Sequence, residues 1–281
     1  MESIAELRKI GQTAFLNEHA NPYGRFVRFF SIYVTRLLLP LGITANQASL
    51  LMIVVGMSAN LFFLSSNPWF LLTGALLMQF WYMLDGVDGE VARYRHYKKT
   101  GLMVIDKKDG VLAGMYLDMI NHYIINFLVP TMVGFGLYIK TWNYIYLVFG
   151  ALGALAQVLM LAMHDAKSRT QLIHLKRFRF TEVLTPALKP SASKEKSRSL
   201  GHWIFIILHN TLTYPSVMNG ICLAVLLNVL FPLWDWRVPF LFYVSLGTTL
   251  VSVSLISRTV NMRINEKEIR DHFRFSDTLP T

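Results

Sequence analysis

The sequence predicts an all-α integral membrane protein: six transmembrane helices, with an N-terminal amphipathic helix lying at the membrane interface. Three observations carry this expectation. Of the 281 residues, 53% are hydrophobic and only 16% charged, with mean hydropathy +0.40, whereas soluble domains run nearer ~25% charged. Six apolar stretches recur, each near the ~20 residues a helix needs to cross ~30 Å of hydrocarbon. The basic residues are segregated into alternate connections. The apolar content also excludes a disordered chain, and a single cysteine, Cys222, excludes a disulfide scaffold.

Residues 1–21 carry Glu2, Glu6, Arg8, Lys9 and Glu18. They are too polar for the apolar core of a cleavable signal and are read as a cytoplasmic N-terminal segment. In residues 22–40, Phe26, Val27, Phe29, Phe30, Tyr33, Val34, Leu37 and Leu38 alternate with Arg25, Arg28 and Arg36. At helical spacing the three arginines share one face, which suits a helix in the headgroup layer; an amphipathic helix packed on protein is the alternative. Apolar runs follow at 46–64, 68–92, 110–138, 143–165, 214–233 and 238–257. Asn67-Pro68, Thr141-Trp142-Asn143 and Trp234-Asp235-Trp236 fall at turns, with Trp at the interface. Residues 166–200 form the one long polar connection, and 202–212 read as a second surface helix. Residues 258–281 are a cytoplasmic tail. The whole of 1–281 reads as a single membrane domain around a six-span core, 46–257.

Charge sets the orientation. The segment through residue 45 holds five Lys and Arg, 93–109 six, 166–200 nine and 258–281 five, so 25 of the 27 lie on one side. Positive charge stays in the cytoplasm, which places both termini inside and makes the number of crossings even. This accounts for the net charge of +10 without a nucleic-acid partner.

The chemistry is concentrated where the second apolar run ends. Asp85, Asp88, Glu90 and Arg93 stand in Tyr82-Met83-Leu84-Asp85-Gly86-Val87-Asp88-Gly89-Glu90-Val91-Ala92-Arg93. Carboxylates in an apolar helix are costly unless paired, hydrated or metal-bound. Asp85 and Asp88 share a helical face, along with Gly89 and Ala92, whose small size lets a ligand approach the backbone. The bland alternative is that the aspartates cap a helix end. The third span supplies Gly114, Asp118 and His122 at i, i+4 and i+8, with Asn121 beside them. Three carboxylates and an imidazole facing one another suit a hard divalent cation, Mg²⁺ or Mn²⁺, without which the acids would repel one another. An ordinary buried polar residue is the alternative for His122.

Asp85-x2-Asp88-Gly89-x2-Ala92-Arg93 followed by Gly114-x3-Asp118-x3-His122 resembles the signature of the CDP-alcohol phosphotransferase family, D-x2-D-G-x2-A-R-x8-G-x3-D-x3-D. Gly42-Ile43-Thr44-Ala45-Asn46-Gln47 resembles that family's entry to its first span. The resemblance implies transfer of a substituted phosphate from a CDP-linked donor to an acceptor alcohol or polyol, releasing CMP and leaving a phosphodiester of phospholipid or glycopolymer type. It implies a pair of divalent cations held by Asp85, Asp88, Asp118 and the residue at 122. It also implies a donor site of Asn46, Gly89, Ala92 and Arg93, contact with membrane lipid, and a homodimer.

Two departures stand out. The fourth motif aspartate, metal ligand and base toward the acceptor hydroxyl, is here His122. A neutral imidazole suits either role, whereas the neighbouring Asn121 could ligate but not act as base. Twenty residues, Tyr94 to Ala113, separate Arg93 from Gly114 instead of eight, and with Lys98, Lys99, Lys107 and Lys108 they read as a cytoplasmic loop. A rival register through Gly101, Asp106 and Asp109 has one residue too many between Gly101 and Asp106. His164-Asp165 with Lys167, Arg169 and Arg258 read as interfacial anchors or as a seat for an anionic acceptor. Lys176, Arg177 and Arg179 read as a solvated loop or a contact for anionic lipid. Two other functions fit an acid-bearing membrane helix: an Mg²⁺-dependent intramembrane prenyltransferase and a cation-coupled transporter. The first normally carries two separate Asp-rich motifs and the second repeated halves.

Overall fold

The computed structural model describes residues 2–16, 22–103, 112–177, 180–183, 200–261 and 273–275. In chain order the elements are α1 (Ile4–Leu16), α2 (Pro22–Leu38), α3 (Ala45–Phe62), α4 (Pro68–Thr100), α5 (Leu112–Thr141), α6 (Ile145–Arg177), β1 (Phe180–Val183), α7 (Leu200–Leu212), α8 (Ser216–Leu230), α9 (Arg237–Asn261) and β2 (Phe273–Phe275). Among the described residues, α3, α4, α5, α6 and α9 are each long and apolar enough to cross a membrane. The pair α7 and α8, bent by 75°, makes a sixth span if both halves cross together. The chain is therefore an all-α, multi-span membrane protein.

Local chemistry sets the element ends. The Thr44 hydroxyl accepts from Gln47 N–H while the Gln47 side chain accepts from Thr44 N–H, a reciprocal cap that starts α3. Asn67 Oδ1 accepts from Trp69 N–H with Pro68 in the first turn of α4, and Gly101, at φ 74°, ends that helix in the left-handed conformation.

The expected fifth span, 214–233, is corrected. Pro215 precedes α8, and Pro232 pushes Phe231 out of helical conformation, to φ −130° and ψ 71°. The 15 residues left in α8 reach only about 22 Å at 1.5 Å per residue, too short to cross alone. The surface helix expected at 202–212 is α7, which meets α8 at the 75° bend. Other helices overrun their expected ends. α4 continues as helix to Thr100, so 94–100 is not loop, and α6 continues to Arg177. The polar N-terminal segment folds as α1, which buries Leu7 and Ile10. β1 and β2 pair antiparallel, Phe180 opposite Phe275 and Val183 opposite Phe273. Asp106, Asp109, Lys107, Lys108 and Arg179 lie outside the described residues.

α2 corrects the expected basic face. Arg25 and Arg36 are exposed, whereas Arg28 turns inward beside Gly86. Ser31, Ile32 and Thr35 are buried, and Phe26, Phe29, Phe30, Tyr33 and Leu37 face out. The spans repeat this arrangement. Ser49, Asn60, Gln157, Thr248 and Ser252 are buried while Leu76, Leu155 and Leu250 are exposed, as expected where lipid is as apolar as the core and close packing holds helices together. α5 and α6 touch at glycines: a Cβ on Gly134 would stand 2.5 Å from Tyr146 O and 2.9 Å from Gly150 Cα.

The connections 63–67, 141–144 and 231–236 meet at one end of the bundle. There the fully buried Arg237 donates from Nη1 to Phe63 O (3.1 Å) and Ser65 O (2.8 Å), and from Nε and Nη2 to Asp235 (2.9 and 2.8 Å). Lys140 Nζ reaches Asp235 Oδ2 at 2.9 Å. Although burial opposes ionisation, Arg237 and then Lys140 hold the Asp235 carboxyl below the usual carboxylate range.

Candidate metal centre

Asp85 and Asp88 do not cap a helix end, because α4 runs on for twelve residues beyond Asp88. Neither finds free backbone N–H groups of a helix start, so their charge calls for partners from neighbouring helices. For Asp85 these come from α5 and the bend between α7 and α8. His122 Nε2 stands 3.6 Å from Asp85 Oδ1 and 3.3 Å from Asp118 Oδ1, and Tyr214 OH donates to Asp85 Oδ2 at 3.3 Å. Asp118 and His122 are four apart on α5, which puts them on the face turned toward α4.

One ligand atom from each of Asp85, Asp118 and His122 lies within 4.8 Å of the others. Ligands sharing one small hard cation stand about 3–4 Å apart, so the separations at His122 are of the right order. Asp118 Oδ1 is buried and accepts no hydrogen bond. It sits 3.3 Å from His122 Nε2 without hydrogen-bond geometry, an acceptor with a lone pair to spare. Two carboxylates and one imidazole carry a net negative charge even when the ring is protonated. Donor set, spacing and orphaned oxygen all fit a metal ion.

Asp88, one turn along α4, is close enough to interact electrostatically with Asp85 and Asp118, but it is not among the three converging groups. Its Oδ2 accepts from Ser49 Oγ on α3 at 2.7 Å and its Oδ1 from Gly89 N–H at 2.5 Å. Asn121 is fully buried, and its Oδ1 accepts from Trp81 Nε1 at 3.2 Å; its potential ligand atom is engaged away from the cluster, leaving position 122 to complete it. Arg93 Nε donates to Gly11 O on α1, and its guanidinium folds back over Gly89, where a Cβ would come within 3.0 Å of Nη1. Asn46 lies beside Gly114, its Oδ1 3.8 Å from where a Cβ would stand. Ala92 is half-buried on the same helix face.

An aromatic wall encloses the histidine. The Tyr214 ring stands edge-on to His122 at 4.7 Å, and Trp81 approaches His122 at 5.8 Å and Tyr214 at 5.5 Å. Gly56 admits Trp81 beneath α3, since a Cβ there would fall 2.7 Å from Trp81 Cδ1. Ser49, Trp81 and Tyr214 escaped the sequence reading: none carries charge, and a Tyr before Pro reads as a span boundary. Asp165 accepts from Tyr123 OH at 2.6 Å, and Arg258 stacks on Phe205 at 4.6 Å.

No protein-family model matches the chain, and no curated protein does.

Proposed function

We propose that this is a membrane-embedded CDP-alcohol phosphotransferase, which moves a substituted phosphate from a CDP-linked alcohol to an acceptor hydroxyl. The acceptor oxygen bonds to the phosphorus that carries the donor's alcohol. The bond from that phosphorus to the bridging oxygen breaks, CMP leaves with the bridging oxygen, and the hydroxyl proton passes to a base. The observation that carries the reading is the meeting of Asp85, Asp118 and His122 between two apolar helices, beside a Gly89 surface overlain by Arg93. The match of Asp85 through Arg93 to the family motif supports it, as does the divalent ion such a donor set suits, Mg²⁺ or Mn²⁺.

Asp85, Asp118 and His122 would hold that ion, with Asp88 near enough to serve a second. A bound divalent cation would neutralise the diphosphate and ease departure of CMP. Arg93 adds fixed positive charge at the same place. The apolar spans and the Trp81–Tyr214 wall lower the local dielectric, which strengthens each of these interactions. His122 serves as ligand or base, and one Nε2 lone pair cannot do both at once. Segregation of 25 basic residues to the motif's side supports a cytoplasmic site.

The test is the purified protein in nanodiscs, supplied with a panel of CDP-alcohols, candidate acceptor alcohols and Mn²⁺. Release of CMP with a phosphodiester product is expected; release of pyrophosphate, or cation-dependent uptake without nucleotide cleavage, would refute the reading. His122→Ala is expected to raise the Mn²⁺ concentration needed for half-maximal rate. A rate lost at every Mn²⁺ concentration, with that requirement unchanged, would make His122 the base instead.

A further inference from the structure

α1 approaches α4 at the turn that carries Gly89 and Arg93. Gly11 marks the contact, since a Cβ there would stand 3.5 Å from Glu90 Cβ. The next residue, Gln12, is buried and spends both amide hydrogens, one on Glu90 Oε1 and one on Arg28 O, each at 2.7 Å. Glu90 is wholly buried and also accepts from Ser31 Oγ and Thr35 Oγ1 on α2, both at 2.5 Å. Beside this pair, Arg93 Nε donates to Gly11 O. With Nε held, Nη1 and Nη2 lie over Gly89, 3.0 and 3.3 Å from where a Cβ would be. The residue just ahead of α1 and its second turn are fastened to match: Tyr94 OH donates to Glu2 at 2.6 Å, Lys98 pairs with Glu2, and Arg8 donates to Phe29 O at 2.9 Å.

A buried carboxylate fastening two helices is a poor source of stability, because well-packed apolar side chains do as well or better. It does give one fixed geometry, and the geometry fixed here is that of an arginine. A guanidinium on a free side chain samples many rotamers and loses that freedom on binding; one held in advance does not. We infer that α1 is a positioning clamp. Gln12 and Glu90 seat α1 so that Gly11 O anchors Arg93 Nε and presents Nη1 and Nη2 over Gly89 to a diphosphate. Gln12 and Glu90 are positioning residues, and Arg93 is the group that meets the ligand. The inference rests on the donor reading above, in which Arg93 contacts the diphosphate.

The test is a double-mutant cycle on the full-length protein, read as CDP binding in the presence of Mn²⁺ and repeated with inorganic pyrophosphate. Gln12→Ala is expected to weaken binding roughly five- to tenfold, about the worth of one hydrogen bond, and Arg93→Ala more. In the Arg93→Ala background Gln12→Ala should change nothing further, because the residue through which it acts is gone. Should Gln12→Ala not fold, Gln12→Met keeps the volume and removes the donors. Wild-type affinity in the Gln12 variants, or the same loss with and without Arg93, would overturn the clamp. If the wild-type protein ignores CDP yet pyrophosphate shows the non-additive pattern, the nucleotide reading fails and the clamp stands. Binding of neither ligand removes both.

Discussion

The two ends of the bundle both bury charge, and they treat it in opposite ways. At the end formed by the short connections, Arg237 directs its guanidinium donors onto Asp235, Phe63 O and Ser65 O, and Lys140 and Asn228 add further donors to Asp235. Two cations face the one carboxylate, and its hydrogen bonds are made. At the motif end, Asp85 and Asp118 share one histidine, Asp88 stands nearby, and the buried Oδ1 of Asp118, 3.3 Å from that histidine, accepts no well-aligned hydrogen bond. Folding alone explains the first cluster, which ties three connections together. The second is a different arrangement, two carboxylates and a histidine converging between helices. That end could hold a metal ion.

The comparison breaks or holds on paired substitutions. Asp118→Asn or Asp85→Asn should reduce CMP release by a factor on the order of 10³, the scale at which removing one preorganised electrostatic partner acts. The thermal midpoint should stay level or rise, since like charges are relieved. Arg237→Ala should do the reverse. It leaves Asp235 partly buried without its principal partner and removes bonds to two carbonyls, a loss of about 3–5 kcal/mol in stability, while the protein that remains folded keeps its ligand affinity. Both are read by denaturation and by binding in the same lipid. If Asp118→Asn unfolds the protein as Arg237→Ala does, the motif cluster is a structural pair and the contrast disappears.

How much of this was legible in the sequence follows from what each residue contributes to pattern. The spans declare themselves by apolar length, and Asp85, Asp118 and His122 by being ionisable where lipid should be. Asp88 is legible as an acid but not as the partner of Ser49, because a serine inside an apolar helix carries no sign of what it faces. The fifth span misleads because its hydropathy runs straight through Pro215 and Pro232, where the backbone cannot follow. On α2 the aromatic and basic residues are legible, but not the strip of Ser31, Ile32 and Thr35 that packs inward, with Arg28 beside it. Beside lipid the aromatic face turned out, and Ser31 and Thr35 turned in to Glu90. Nothing local marks Gln12 as the partner of an acid 78 positions away.

The smallest expected effect concerns acid, and it sharpens the same contrast at two carboxylates that lie outside the spans. Lys98, and then Tyr94, hold the Glu2 carboxyl down at about 2, and Asp235 is likewise held below its ordinary range. A carboxyl whose folded value is depressed stabilises the folded state fully above its unfolded value, ~4.3 for Glu, and loses that contribution as pH falls through the folded value. From pH 7 down to ~4.3 neither the docking of α1 nor the Arg237 cluster should weaken. Between ~4.3 and about 2 the Glu2 contribution should fade, leaving α1 amides faster to exchange, while the Asp235 contribution, whose folded value lies lower, is lost over a window that reaches to lower pH. The Lys98 ammonium is exposed, so salt should shrink the Glu2 effect; the buried Asp235–Arg237 pair should respond far less. Loss of α1 protection already near pH 5 would mean that Glu2 does not hold the helix, and that the Gln12–Glu90 contact carries the docking alone.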